Sequence, residues 1–360
     1  MRKESSPFTW RRLFLKPFKD LEEQLDVLED RDLAITNRER ALKYLLSNNY
    51  YNIINGYSKF FQITDSDNYI EGVTFDEVAS LYTFDKDIKR AILQSILEAE
   101  HHIKSITAHR FAEAYKNQQY AYLNTKNYDN NKILDVGYIV SRLSKIVNYN
   151  KNKRGTSINH YYTNHKDVPI WVLTDYLEFG DTRNIIKNLP TSLQNKIAKD
   201  LVSFLKTNNP NFTGVFPPET MISFLKNINQ TRNVCAHNNR LLNYNCTANS
   251  VCFDPIHDDF NLQDDDSRKS VYSTVVSLQC FISGEEFNRL WNTLRKKVIK
   301  LEKKLPSIDI NVINQSLGFP DDWQFFGKKT PMYRQIGNAF PPPVAEAVGR
   351  QIIKALKKEN

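Results

Sequence analysis

The strongest constraint on the fold is one long apolar stripe. Between Asp85 and Tyr115, Ile88, Ile92, Ile96, Ala99, Ile103 and Ile106 recur every three or four residues for more than four turns. That period is helical, and a stripe so long has to be covered by other elements. Glu100, His101, Lys104 and Arg110 are expected on its polar or boundary surface, with Glu98 facing His102 one turn on. Only 11 of the 360 residues are Gly, too few for a fold built from glycine turns or nucleotide loops. An all-α fold is therefore predicted.

Other segments repeat the helical pattern. Thr36 and Glu39 form a capping-box pair ahead of Ala41, Leu42, Leu45 and Leu46. Beyond Asn48-Asn49, Tyr50, Tyr51, Ile53, Ile54, Tyr57, Phe60 and Phe61 read as core, with base stacking as the alternative use of such aromatics. Helices are expected near 135–147, 167–178 and 191–206, the last with Thr191 as cap, and the polar stretch 148–167 as a loop or insert. Pro217 and Pro218 open a helix whose apolar side is Met221, Ile222, Leu225 and Ile228, and Asn238-Asn239 stop it. The span 245–270 reads as irregular. Ser283 and Glu286 cap a helix with Phe287, Leu290, Leu294, Val298 and Leu301 as its stripe. Beyond Pro306 the Pro and Gly content rises, and a closing helix is expected over 343–357. Three regions follow: a helical N-terminal region 1–85, a helical core 86–306 and a C-terminal extension 307–360.

Composition bounds the function. A 41% hydrophobic and 25% charged chain can bury a sizeable core. No stretch approaches the ~20 apolar residues of a membrane span, and no apolar run follows the basic N-terminus, so a cytoplasmic protein with no membrane partner is expected. The four Cys include no CxxC pair, which fits a reducing compartment. The net charge of +8 leans toward nucleic acid. The last 54 residues carry only +2 of it, so the positive balance is not a tail effect.

The segment Arg232-Asn233-Val234-Cys235-Ala236-His237 is the sharpest chemical feature. On a helix Asn233 and His237 share a face, and the long Arg232 side chain can reach round to the same spot. One titratable proton carrier, one fixed cation and one amide make a kit for phosphodiester chemistry without a metal or cofactor. The spacing alone also suits a histidine that merely caps a helix. Two histidine or cysteine groupings do not fit a metal site. His101, His102 and His109 lie on one helix, the first two about 100° apart, with no matching carboxylate cluster. Cys246, Cys252 and His257 have uncommon spacing for zinc. Arg289, Arg295, Lys296, Lys297, Lys300, Lys303 and Lys304 crowd the last core helix. With Lys151, Lys153 and Arg154 they form the expected RNA-backbone surface, the alternative being a solvated face.

"RNVCAHNNRLLN" resembles the RNxxxH motif of the Abi-like (abortive infection) family, part of the all-helical HEPN ribonuclease superfamily. "ALKYLLSNNYYNIINGYSKFF" is similar to the family's early block, and "ILEAEHHIKSITAHRFAEAY" to the first helix of its core. The resemblance implies an HEPN-type helical bundle acting as a homodimer, with two RNxxxH segments facing one cleft. It implies a metal-independent endoribonuclease in which His237 moves protons, Arg232 holds the scissile phosphate, Asn233 orients the motif and Glu100 positions Arg232. Products would be a 2′,3′-cyclic phosphate and a 5′-OH, and the biological role that of an antiphage toxin. Lys104 stands where many relatives have an Arg soon after that Glu. Alternatives are a protein that binds a structured non-coding RNA without cutting it, or is restrained by it, and an interaction subunit for a neighbouring truncated DNA methyltransferase. The last rests on "GFPDDW" (318–323) and "YRQIGNAFPPPVA" (333–345), which resemble the final blocks of cytosine-C5 DNA methyltransferases; Asn338 would there help line the S-adenosylmethionine pocket. The chain lacks the cofactor loop and the Pro-Cys nucleophile loop of those enzymes, so the tail reads as a captured gene end or a complementing fragment.

Overall fold

The computed structural model describes residues 18–319. Among the described residues there are helices, turns and three isolated bridges but no strand, in agreement with the all-α expectation. None of these helices is long and apolar enough to cross a membrane. The described residues fall into two compact units, one of residues 18–83 with 304–308, the other of 84–303 with 309–319.

In the first unit α1 (Leu21–Glu29) and α2 (Arg38–Asn48) are tied by Arg38, which bonds Glu22 at 2.8 Å and also Asp26 and Glu29. The cap of α2 is Asn37, which accepts the Arg40 N–H at 2.9 Å, one residue beyond the expected Thr36. Past Asn49, held at φ 57, the chain takes a π turn (Tyr51–Asn55) and a 3₁₀ turn (Ser58–Phe60). Ile53, Tyr57 and Phe61 are buried, as is Tyr69, whose hydroxyl meets Ser58 Oγ at 2.6 Å. These aromatics are core; Tyr51 alone among them lies well exposed.

The long helix α3 runs from Phe75 to Ala114. It begins ten residues before the apolar stripe suggested. Its start is set by Thr74 and Glu77, which exchange hydrogen bonds of 2.9 and 3.3 Å as a capping box. Residues up to 83 belong to the first unit and the remainder to the second.

The second unit adds α4 (Ile133–Asn150), α5 (Ser157–His165), α6 (Ile170–Leu173), α7 (Phe179–Asn188), α8 (Thr191–Asn208), α9 (Pro218–Ala236), α10 (Asp254–His257), α11 (Val271–Ser277), α12 (Gly284–Glu302) and α13 (Ile310–Leu317). Several expectations need correction. The polar stretch read as a loop contains α5, because Thr156 accepts the Asn159 N–H at 3.1 Å and Ile158 is buried. The helix expected over 167–178 is one turn, α6, followed by a 3₁₀ turn. Pro190, not Thr191, caps α8. Helices α7 and α11 were not foreseen; Glu178 with Asp181 caps the first, and Ser270 the second.

Helix α9 packs against α7, α8 and α11. It buries Met221, Phe224, Leu225 and Ile228 completely, at roughly 1.5–3 kcal/mol per side chain. Turning α9 by one residue would expose that set, so its rotation is fixed. Helix α13 is likewise part of this unit: Ile313, Leu317 and Phe319 are buried. Gly318 ends α13 at φ 78, and a Cβ there would lie 2.3 Å from Ser270 Cβ, so only glycine fits. The methyltransferase-like residues from 320, Asn338 and the helix expected over 343–357 lie outside the described residues.

His257 is fully buried and its Nδ1 accepts the Phe253 N–H at 3.0 Å, which requires an unprotonated nitrogen. Burial, helped by Arg268, lowers its pKa from 6.5 to about 4. Between those values the unfolded chain binds the extra proton and the folded chain does not, so stability is full above pH ~6.5 and falls as pH drops toward 4. Chemical denaturation across that window is expected to show a loss on the order of 3 kcal/mol, and His257→Gln a flatter profile.

Candidate active site

The second unit brings the RNxxxH residues to the C-terminal end of α9. Thr231 and Cys235 are buried with the apolar side of the helix, which leaves Asn233 and His237 exposed and Arg232 half-buried between them. His237 is the C-cap, its N–H bonded to the Asn233 carbonyl at 3.0 Å. Asn238 follows at φ 55. Its N–H reaches the Cys235 carbonyl and that of Asn239 the Val234 carbonyl, the paired bonds of a Schellman stop. The asparagine pair thus ends the helix as the sequence indicated. Cys235, inside the motif, is no nucleophile: burial and nearby Asp85 push its thiol up to about 12.

The chain after His237 is held by two residues of α3 that sequence reasoning did not single out. Lys89 donates to Asp85 Oδ2 at 2.9 Å, to Asn238 Oδ1 at 2.9 Å and to the Asn239 carbonyl at 3.1 Å. Asp85 Oδ1 accepts the N–H groups of Leu241 and Leu242 at 3.0 and 3.2 Å. Both side chains are buried, at 0% and 4% exposure. Unsatisfied buried charges are costly, and here every donor of the ammonium has an acceptor. The signal was present: Asp85 and Lys89 sit i and i+4 on the same face as Ile88, Ile92 and Ile96, where a helix normally carries apolar residues.

Glu100 and Lys104 are not surface residues as expected from the helical wheel. Glu100 is 7% exposed. Its Oε1 accepts from Lys104 at 2.7 Å, and Lys104 also donates to the Leu177 carbonyl at 2.6 Å. Glu100 Oε2 stands 3.9 Å from Arg232 Nε, and Arg232 Nη1 is 3.5 Å from Asn233 Oδ1. Arg232 therefore faces Glu100 across a gap longer than a hydrogen bond, while Lys104 takes the closer contact. Two cations share one carboxylate and a net charge of +1 remains at the end of α9.

Other candidates are structural. His102 donates from Nδ1 to the Phe281 carbonyl at 2.9 Å and stacks on Phe204, so it does not pair with Glu98, which instead accepts from Gln94. Cys252 lies 3.6 Å from His257, and Cys246 bonds Thr231. Among the described residues no three His, Cys, Asp or Glu side chains are grouped to hold a metal ion. The basic residues named for RNA are on separate elements. Lys151, Lys153 and Arg154 follow α4, where Lys153 Nζ lies 3.7 Å from the Tyr149 ring. Lys296, Lys297 and Lys300 are on α12, and Lys297 is engaged by Asp87 at 2.6 Å. Lys304 belongs to the first unit.

The described residues are thus helical and display an arginine, an asparagine and a histidine at one helix end. The model of the Abi-like protein family matches residues 43–243, more than half of the sequence, and the chain belongs to that family. A second likeness is local. Over 56 residues the chain is 79% identical to the Type II methyltransferase M.NgoMIV of Neisseria gonorrhoeae, covering 16% of this chain and 18% of that protein. Over another 56-residue match it is 51% identical to the Type II methyltransferase M.NaeI of Lentzea aerocolonigenes, covering 15% and 14%. The chain thus spans less than a fifth of the length of these curated relatives. No solved structure matches.

Lys89→Met leaves the Asp85 carboxylate buried without its cation. A loss on the order of 3–5 kcal/mol is expected in chemical denaturation, and Asp85→Asn combined with Lys89→Met should recover part of it. Equal stability of Lys89→Met and wild type would show that the pair does not hold this loop.

Proposed function

We propose that this Abi-like protein is a metal-independent endoribonuclease of the HEPN type, acting as a toxin in abortive infection. The observation that carries the reading is the net positive end of α9, where Arg232 is held by, but not hydrogen-bonded to, Glu100 beside an exposed His237. A phosphate is the ligand such a cation suits.

The chemistry follows from the group properties. An imidazole takes the proton of a ribose 2′-OH; the 2′-oxygen bonds phosphorus; the bond to the 5′-oxygen breaks, and that oxygen leaves with a proton from an acid. The products are a 2′,3′-cyclic phosphate and a 5′-OH. Histidine suits both proton transfers near neutral pH. Arg232 offsets the charge that builds on the non-bridging oxygens in the transition state. Asn233, on the same face as His237, orients the imidazole or the phosphate. One chain supplies one such histidine, and a second copy would supply the acid, which is why a homodimer belongs to the reading. The methyltransferase-like segment fits a captured gene end better than an enzyme part, because its match is confined to a short stretch of each relative.

The test is cleavage of end-labelled RNA in EDTA. His237→Ala and Arg232→Ala are expected to lower kcat/KM at least ~100-fold, the scale of a lost proton carrier or charge donor. Glu100→Gln should give a smaller loss, because it positions Arg232 and does not touch RNA. Full activity in His237→Ala would overturn the proposal.

A further inference from the structure

A cleft of about 590 Å³ opens along the C-terminal half of α3, facing α6 and the turn after it. Ala108, Ala112 and Trp171 give its lining apolar surface, and Asp175, His109 and Lys116 line it as well. Trp171 is 56% exposed. A large aromatic left facing a concave site is unusual, since such side chains are mostly buried, and it marks binding surfaces. The turn that carries it is fixed: Thr174, itself buried, donates to the Trp171 carbonyl at 3.2 Å. A second, smaller hollow borders the same indole beyond Ala112 and Lys116.

One residue of the cleft also belongs to the charge cluster of the candidate active site. Lys104 lines the cleft, and Lys104 Nζ lies 2.7 Å from the Glu100 oxygen whose twin is 3.9 Å from Arg232 Nε. Lys104 thus links the cleft that Trp171 lines to the carboxylate that faces Arg232.

The chemistry of the lining selects the part of the nucleotide that enters. Asp175 is exposed and lines the cleft. Its carboxylate repels a phosphate but accepts from a ring N–H or an exocyclic amine. Glu113 also lines the cleft, but Arg110 at 2.9 Å and Lys196 at 3.7 Å compensate its charge. His109 and Lys116, both exposed, line the cleft too, and Lys116 offers a cation to a backbone phosphate.

We propose that this cleft binds one unstacked base of the single-stranded RNA that is cut, its face on Trp171 and its edge toward Asp175. The inference rests on the ribonuclease reading and adds a base-binding, specificity-determining subsite to it. A duplex is excluded as occupant because its bases are stacked and cannot reach the indole.

The experiment measures the Kd of a short fluorescent single-stranded RNA by anisotropy, using the full chain on a His237→Ala background so that binding is seen without cleavage. A matching RNA lacking one base serves as the second probe. Trp171→Ala should raise Kd between about 5- and 100-fold, the range of one aromatic–base stack. Trp171→Phe, which keeps a ring, should stay within about threefold of the parent. The Ala variant should no longer distinguish the intact RNA from the RNA missing the base that occupies the cleft. If Trp171→Ala fails to fold, Trp171→Leu against Trp171→Phe makes the same comparison, since leucine keeps apolar bulk without a π face. An unchanged Kd in Trp171→Ala, or equal losses for Phe and Ala, overturns the subsite while wild-type cleavage upholds the ribonuclease. If the chain with His237 intact neither binds nor cuts RNA, the ribonuclease reading fails and the proposed occupant fails with it.

Discussion

The buried pair Asp85–Lys89 is the interaction on which the geometry of the motif depends. It lies inside α3, yet its hydrogen-bonding capacity is spent on the chain that leaves α9. The ammonium fixes Asn238 and Asn239, and the carboxylate fixes Leu241 and Leu242. The C-terminal end of α9, with His237 on it, is thereby clamped from below while α7, α8 and α11 fix the rotation of the helix. An ion pair so deeply buried contributes little net stability, because the desolvation of both groups offsets their attraction. Its effect is to permit a single path for the loop. On the proposed ribonuclease reading, in which His237 approaches a phosphate, that precision matters more than a stronger core.

A second charge arrangement grows from the same helix. Four turns of α3 separate Lys89 from Lys104, so one rigid rod carries both the clamp and the Glu100–Lys104 pair that faces Arg232. The position of Arg232 therefore follows from α3 as well as from α9. The lysine at 104 differs in kind from an arginine, since a compact ammonium can bond Glu100 and the Leu177 carbonyl together and leave Glu100 Oε2 turned toward Arg232.

Much of this was legible in the sequence, and the failures have physical causes. The apolar stripe of α3, the double proline of α9, its asparagine stop and the Ser283–Glu286 box of α12 are local signals that the structure keeps. The start of α3 was missed although Thr74 and Glu77 spell the same capping pattern, because the polar residues 85–87 masked the continuity of the helix. Helix α5 was missed because its composition, rich in Asn, Tyr and His, has weak helical preference, and tertiary burial of Ile158 decides. Arg232, Asn233 and His237 are adjacent in sequence and were found together. Asp85 and Lys89 were not, since their partners lie about 150 residues away. Glu100 was placed on a surface because a helical wheel shows which face a residue occupies, not what covers that face.

The central claim is that the end of α9 cuts RNA through its own side chains. The most direct measurement is the chemistry of the ends produced by wild-type protein acting on a defined RNA in EDTA, read by mass spectrometry. A 2′,3′-cyclic phosphate on one fragment and a 5′-OH on the other is the predicted result. A 5′-phosphate with a 3′-OH, or intact RNA, would contradict the account.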